Sequence, residues 1–334
     1  MSEDVVPVHG RIERRGTRYR LRIVFADGTR KLYGTYPTYD LAQQAKASVL
    51  SGKNEVPVAP HPTIAAPAVI HPSAHRETAV LHLGDLHVGK KECGYDTFQA
   101  RMRRISDRLK DIRDTVLRQY DITKLKVILT GDVVDGHGVY PSQAYNQAIG
   151  DARAQANLCG DGLAELISNQ RGLYGTVEVA AVPGNHGIGG NKFAADSQNW
   201  DILAYDRLAE KLAGRVPVEY NPEDPWVLKT QIADKYAAIL NHGHRLGKSR
   251  KSVEDRIARW SSSDHFYPFH YVFTGHLHSL EYWHFNRVHY FRTGTMLTDD
   301  PYARQLGYES SVRAWLFGVH EKRPVTWTVQ VDLT

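Results

Sequence analysis

Five short fragments place metal-ligand side chains beside glycine or at the ends of apolar runs. They are Asp85-Leu86-His87, Gly131-Asp132-Val133-Val134-Asp135, Gly184-Asn185-His186, Asn241-His242-Gly243-His244 and Gly275-His276-Leu277-His278. Alone, an Asp-x-His or a Gly-Asn-His is an ordinary turn sequence. Together they supply carboxylate, imidazole and amide donors for one shared centre. Hydrolysing a phosphate ester near neutral pH needs a strong nucleophile and neutralised phosphoryl oxygens, and two divalent ions ~3.5–4 Å apart supply both. Holding two ions that close requires a bridging carboxylate. A donor set without thiolate suits manganese, iron, zinc or nickel better than calcium or magnesium.

The elements that must position these fragments read as alternating strands and helices. Ala79–Leu83, Lys126–Leu129, Val177–Val182, Ala237–Leu240 and Tyr271–Thr274 are predicted strands, each running into a fragment. Phe98–Tyr120, Ser142–Asn169 and Trp200–Leu212 are predicted helices. After Gly275 the pattern turns to strands at Leu280–Phe285, Val288–Thr293, Ala314–Val319 and Val325–Val331. Such alternation argues for an α/β class, with ligands gathering beyond the strand ends.

From about Ala79 onward, the order and chemistry of the fragments resemble the calcineurin-like metallophosphoesterases. The resemblance implies a two-sheet sandwich flanked by helices and a centre of two divalent ions, with manganese the commonest choice in the nuclease branch. It implies that Asp132 bridges the ions, that Asp85, His87 and His278 complete one site, and that Asn185, His242 and His276 complete the other. His244 is the alternative to His242. The resemblance also places His186 at the scissile ester, protonating the leaving oxygen or stabilising the transition state. Asp135 is expected to orient a ligand histidine rather than bind metal.

The chain departs from the family pattern after Asn-His. An acidic residue usually follows there, whereas this chain has Gly187-Ile188-Gly189-Gly190, so support for His186 must come from elsewhere. That glycine-rich loop either brings backbone amides to a phosphate or is a plain loop. His82, His265, His270, His284, His289 and His320 read as core or surface residues, and His137 either as a contact to a metal ligand or to substrate, or as a bystander.

Substrate class is carried by three features. The phosphoprotein-phosphatase branch typically has Arg after Gly-Asp-x-x-Asp and Glu after Gly-Asn-His, and this chain has Gly136 and Gly187. Leu83-Gly84-Asp85-Leu86-His87-Val88-Gly89 resembles the opening motif of the double-strand-break-repair exonucleases, and Pro141-Ser142 is faintly similar to the same group. The third feature is the N-terminal stretch. Arg18, Arg20 and Arg22 alternate with Tyr19, Leu21, Ile23 and Phe25. An Asp27-Gly28 turn leads to a strand from Thr29 to Tyr33, and Thr38 caps a helix over Tyr39–Leu50. Around Gly34-Thr35-Tyr36-Pro37-Thr38-Tyr39-Asp40-Leu41-Ala42 this stretch resembles the three-strand-and-helix DNA-binding domains of plant ethylene-response factors and phage integrase arms. By that resemblance Arg18, Arg20, Arg22 and Arg30 are DNA contacts. The competing reading is a solvated sheet face whose charges discourage edge pairing.

Charge agrees with a separate basic module. Residues 1–53 hold ten Lys/Arg against five Asp/Glu, and the remaining residues hold 32 of each, so the whole formal charge of +5 falls in the first 53. Expected domains are a basic module at 1–53, a linker at 54–77 containing Pro57, Pro60, Pro62, Pro67 and Pro72, and the metal-bearing domain at 78–334. A second basic cluster, Arg245, Lys248, Arg250 and Lys251, either holds a nucleic-acid backbone or is an exposed loop before a helix at about Val253–Trp260.

At 42% hydrophobic and 24% charged residues, the composition excludes a wholly disordered or collagen-like chain. No apolar run reaches the ~20 residues of a membrane helix. Two cysteines and a Met1-Ser2-Glu3-Asp4 start without secretory features lead to an expectation of the cytoplasm. The expected activity is a two-metal phosphodiesterase acting on DNA, a nuclease of phage or DNA-repair type. The alternatives are a phosphomonoesterase or small-substrate phosphodiesterase, protein phosphatases included, and a catalytically weak DNA-binding or structural subunit. Repair nucleases of this type often work as homodimers with ATPase partners, and no residue pattern here specifies either.

Overall fold

A computed structural model describes residues 6–51 apart from 17 and 37, 76–188 apart from 142, 195–298, and 304–334 apart from 305, 306, 308 and 309. The proline-rich stretch, Ser142, Gly189 and Gly190 therefore lie outside the described residues. The chain divides into two compact units, Met1–Ile70 and His71–Thr334.

In the first unit, β1 (Pro7–Arg15), β2 (Arg18–Phe25) and β3 (Arg30–Tyr36) form an antiparallel sheet in that order, followed by α1 (Tyr39–Leu50). Thr29 donates to Asp27 Oδ1 from both its backbone nitrogen and its hydroxyl, at 2.9 and 2.6 Å, fixing the predicted turn. Thr38 Oγ1 accepts from Leu41 N and caps α1. Alternation along β2 buries Leu21 and Ile23 with Tyr36, Ala42 and Ala45 in a small core. The same alternation sends Arg18, Arg20 and Arg22 to the opposite face.

The second unit is a sandwich of two sheets. One has the order β14 (Thr328–Asp332), β13 (Arg313–His320), β4 (Glu77–Leu83), β5 (Ile122–Leu129), β6 (Thr176–Ala181), β7 (Val218–Glu219). The other has the order β11 (Glu281–Phe285), β12 (Val288–Arg292), β10 (Tyr271–Thr274), β9 (Tyr236–Leu240), β8 (Leu228–Ala233). Val80, Ile128, Ala180, Leu240, Phe273, Phe291 and Phe317 form part of the layer between the sheets. Helices α2 (Tyr95–Asp114), α3 (Ala152–Gln170) and α4 (Trp200–Leu212) cover the outer face of the first sheet, and α5 (Arg250–Ser261) covers the second. Every residue of β4 is buried, as expected of a strand covered on both faces.

Two predicted helices are shorter than expected. The one predicted from Ser142 begins at Ala152, because Asp151 caps it by accepting from Arg153 N and Ala154 N. Ahead of it, Gln143 and Gln147 are spent on hydrogen bonds to the Asp135 loop. The helix predicted to Tyr120 stops at Asp114, before the β-branched pair Thr115-Val116. Strands β7 and β8 carry no pattern that marks them in the sequence.

Strands β4, β5 and β6 run parallel as neighbours, and β9 and β10 run parallel in the opposite sheet. All five fragments therefore leave the carboxyl ends of strands at one edge of the sandwich. The two sheets are tied there by His242 Nδ1, which donates to Thr130 O across 2.7 Å.

Candidate metal centre

The loops that carry the fragments are bent in a way most sequences avoid. Among the described residues, seven non-glycine positions have positive φ, and five are Asp85 (50°), His87 (47°), Asp132 (48°), His276 (73°) and His278 (54°). Each such residue costs on the order of 1–2 kcal/mol, so the conformations persist only where surrounding bonds over-determine them. Those bonds are present. Asp85 N donates to Gly131 O and His87 N to Asp132 O, stitching the first loop to the second. The Asp85 carboxylate accepts from His276 N at 2.9 and 3.1 Å, binding the fifth loop to the first. Asp132 Oδ1 accepts from His186 N at 2.8 Å, binding the third loop to the second.

Two groups of donor atoms result. In the first, His87 Nε2 and His278 Nε2 lie 3.0 Å apart, with Asp85 Oδ1 3.5 Å from His278 Nε2 and 4.0 Å from His87 Nε2. In the second, Asp132, His242 and His276 bring one ligand atom each within 4.8 Å of the others. There His242 Nε2 faces Asp132 Oδ2 at 3.0 Å and Asn185 Oδ1 at 3.1 Å. Asp132 also groups with His87 and His186, so it stands between the two sets.

These residues fit a pair of cations. With its Nδ1 proton given to Thr130, His242 turns a lone pair toward two oxygens, and only a proton or a metal ion makes that contact favourable. Burial by itself would lower its pKa, but the Asp132 and Asp85 carboxylates prevail and push it up to about 9. Elsewhere burial wins: His87 and His276 are each held down to about 4 and stay neutral, the form in which imidazole can ligate a metal. Asp85 and Asp132 are held low in spite of burial, Asp85 chiefly by His278 and Asp132 chiefly by His242.

The structure also supplies what Gly187 does not. His186 Nδ1 donates to Asp135 O across 3.0 Å and lies 3.6 Å from Asp135 Oδ1. His87 Nδ1 lies 3.6 Å from that same carboxylate oxygen. Both His87 Nδ1 and Asp135 Oδ1 are buried without a hydrogen-bond partner. Gln143 Nε2 at 2.9 Å and Gln147 Nε2 at 3.1 Å hold the other oxygen, so the carboxylate is aimed by two amides. Nothing in the spacing of the two glutamines marks them in the sequence.

Asn199 and Asp201 are unmarked in the sequence for the same reason. Asp201 accepts from Asp132 N (2.8 Å), Val134 N (3.1 Å) and Gly184 N (2.7 Å), and Asn199 Nδ2 donates to Gly184 O (2.8 Å). Of the remaining histidines, His244 does not reach Asp132 or Asn185 as His242 does; its ring stacks edge-on against Trp226. His82 is a core residue hydrogen-bonded to Thr130 Oγ1 at 3.0 Å, and His137 is exposed. In the basic cluster, Arg250 and Lys251 pair with Glu254 and Asp255 of their own helix and Arg245 lies over Trp226, which favours a solvated helix face over a phosphate clamp.

On the N-terminal sheet, strand register adds two arginines to the predicted set. Arg11 is paired with Arg22 and Arg15 with Arg18, while Arg30 is paired with Val24, in phase with Arg22. Opposed residues share a face. Arg11, Arg15, Arg18, Arg20, Arg22 and Arg30 thus lie on one side, accompanied by Glu13 and the exposed Leu32.

Comparison with known proteins places the larger unit. A solved structure of a hypothetical protein from Pyrococcus horikoshii OT3 covers 76% of this chain and 88% of its own, at 13% identity and a TM-score of 0.40. Vacuolar protein sorting 29 from Cryptosporidium parvum covers 76% and 96%, at 16% identity and 0.34. A curated relative, the DNA polymerase II small subunit of Thermoplasma acidophilum, is 35% identical over 120 residues, which is 35% of this chain and 21% of that protein. This chain thus spans about a fifth of that relative's length. The sequence model of the calcineurin-like phosphoesterases matches residues 78–280, more than half of the chain and all five fragments. The chain belongs to the calcineurin-like phosphoesterase family and is a metal-dependent phosphoesterase.

Proposed function

We propose that the chain is a two-metal phosphodiesterase that hydrolyses DNA, with manganese as the working ion. The carrying observation is that one chain combines largely buried groups of carboxylate and imidazole donors that could hold metal ions with a separate sheet face bearing six arginines. The matched segment of a DNA polymerase small subunit supports the same substrate class.

In this reading Asp85, His87, His278 and Asp132 would hold one ion, and Asp132, Asn185, His242 and His276 would hold the other. Ions held there would lower the pKa of a bound water and neutralise charge on the phosphoryl oxygens. His186, its Nδ1 proton held by Asp135, presents Nε2 to the leaving oxygen and donates a proton there. The Asp135 backbone oxygen fixes that tautomer, and the Asp135 carboxylate offsets the charge on His186 before it gives up its proton. The arginine face holds DNA through phosphates and base edges.

The test is incubation of the full chain with Mn²⁺ and end-labelled single- and double-stranded DNA, beside bis-p-nitrophenyl phosphate and p-nitrophenyl phosphate. DNA shortening that vanishes in Asp132→Asn is the expected result. Turnover of the monoester alone would replace this reading with a phosphomonoesterase, and turnover persisting in Asp132→Asn would remove the site assignment.

A further inference from the structure

Helix α4 begins with a buried polar pair that faces the metal loops rather than solvent. Asp201 is fully buried, and its two oxygens accept from Asp132 N, Val134 N and Gly184 N. Two of these amides belong to the loop after β5 and one to the loop after β6. Asn199, also buried, spans the remaining distance: its amide donates to Gly184 O, and its oxygen accepts from Asp201 N at 2.8 Å. One acid and one amide thus join the backbone of Asp132 to the backbone beside Asn185.

The space at position 187 shows why this pair sits where it does. A Cβ built on Gly187 would fall 1.8 Å from Asn199 Oδ1 and 3.0 Å from Asp201 N. Any side chain at 187 therefore excludes Asn199 from its place. The amide at 199 thus requires glycine after Asn185-His186, and the loops receive their acidic anchor from α4 instead of from position 187.

We infer that Asp201, held by Asn199, is a positioning residue for the metal pair: it sets the spacing between the Asp132 carboxylate and the Asn185 amide. This rests on the two-metal reading above. The carboxylate touches neither ion nor substrate in this scheme. It acts by satisfying three amides at once, and the asparagine isostere offers only one oxygen for them.

Mn²⁺ titration of the metal-free full chain by calorimetry, with thermal midpoints recorded in parallel, tests the inference. Asp201→Asn should weaken Mn²⁺ binding by about 10–100-fold, the range found when groups supporting metal ligands are removed. Leu208→Ala, a cavity in the buried face of the same helix, should lower the midpoint and leave Mn²⁺ affinity within about twofold, since it breaks no loop hydrogen bond. Raising Mn²⁺ should restore kcat on bis-p-nitrophenyl phosphate in Asp201→Asn and not in Asp132→Asn.

If Asp201→Asn does not fold, Asn199→Ser decides, because serine keeps the cap for Asp201 N and loses the bond to Gly184 O. Unchanged Mn²⁺ affinity in whichever variant folds overturns the inference, as does an equal loss in Leu208→Ala. Wild-type protein that binds no Mn²⁺ overturns the two-metal reading itself.

Discussion

His87 and His186 come from different loops, yet their Nδ1 atoms both lie 3.6 Å from the same oxygen of Asp135. Their rings meet edge to face with centroids 4.5 Å apart. A candidate ligand and the candidate acid thereby face one carboxylate, itself held by Gln143 and Gln147, while the His186 Nδ1 proton goes to the Asp135 backbone oxygen. Disturbing Asp135 must therefore affect metal binding and proton transfer together, whereas disturbing His186 should affect only the second.

His186→Gln is accordingly expected to lower kcat on DNA by about 10²–10³-fold while keeping its Mn²⁺ content. The loss should be much smaller for bis-p-nitrophenyl phosphate, whose leaving group departs without needing a proton. Parallel kinetics on the two substrates check this. Equal losses on both would mean that His186 stabilises phosphoryl charge instead of protonating the leaving oxygen.

The positions that announce themselves in sequence are those whose chemistry needs a particular side chain. Asp85, His87, Asp132, Asn185, His242, His276 and His278 converge from five strand ends. The strand-and-turn pattern of the first unit is legible for a different reason: a two-residue period and an Asp-Gly turn are local facts. What stays hidden acts through the backbone. Asp201 and Asn199 bond main-chain atoms from a helix start, and Gln143 and Gln147 sit in a stretch whose composition reads as helix. Arg11 and Arg15 become visible only through register, because nothing in β1 alone says which of its faces meets Arg18 and Arg22.

Gly131 offers a backbone test of the same centre. Its φ is +84°, and a Cβ there would lie 2.3 Å from Gly184 N and 2.5 Å from Pro183 C. In the proposed centre, two loops approach within backbone contact so that Asp132 and Asn185 could serve one ion. Gly131→Ala should therefore cost at least about 1–3 kcal/mol in urea unfolding and weaken Mn²⁺ binding as well. A variant as stable as the parent would show that the loops need not approach so closely.

For the N-terminal sheet, replacing Arg18, Arg20 and Arg22 with alanine should weaken DNA binding and flatten its salt dependence. For every phosphate that is no longer neutralised, the slope of log K against log salt should fall by about 0.9 for duplex DNA. Adding Arg11→Ala and Arg15→Ala should reduce it further, because register places them on the same face. Fluorescence anisotropy at several salt concentrations measures this directly. An unchanged slope would return the face to the role of a solvated, aggregation-resistant edge.

The metal-free protein should be most stable near pH 6.5. His87 and His276, held down to about 4 mainly by burial, stay neutral in the folded chain while the unfolded chain takes up protons below its ordinary value of 6.5. Folding stability is therefore lost as pH falls from 6.5 toward 4. His242 works in the opposite sense. Burial would lower it, but Asp132 at 3.0 Å raises it to about 9. The stability it contributes is complete below 6.5 and is lost as pH rises through about 9. Because an ion at His242 Nε2 must displace that proton, Mn²⁺ affinity should rise by up to about tenfold per pH unit between these values, with about one proton released. Calorimetry in buffers of different ionisation enthalpy counts that proton. Mn²⁺ binding that releases none in this range would place the ion elsewhere than on His242.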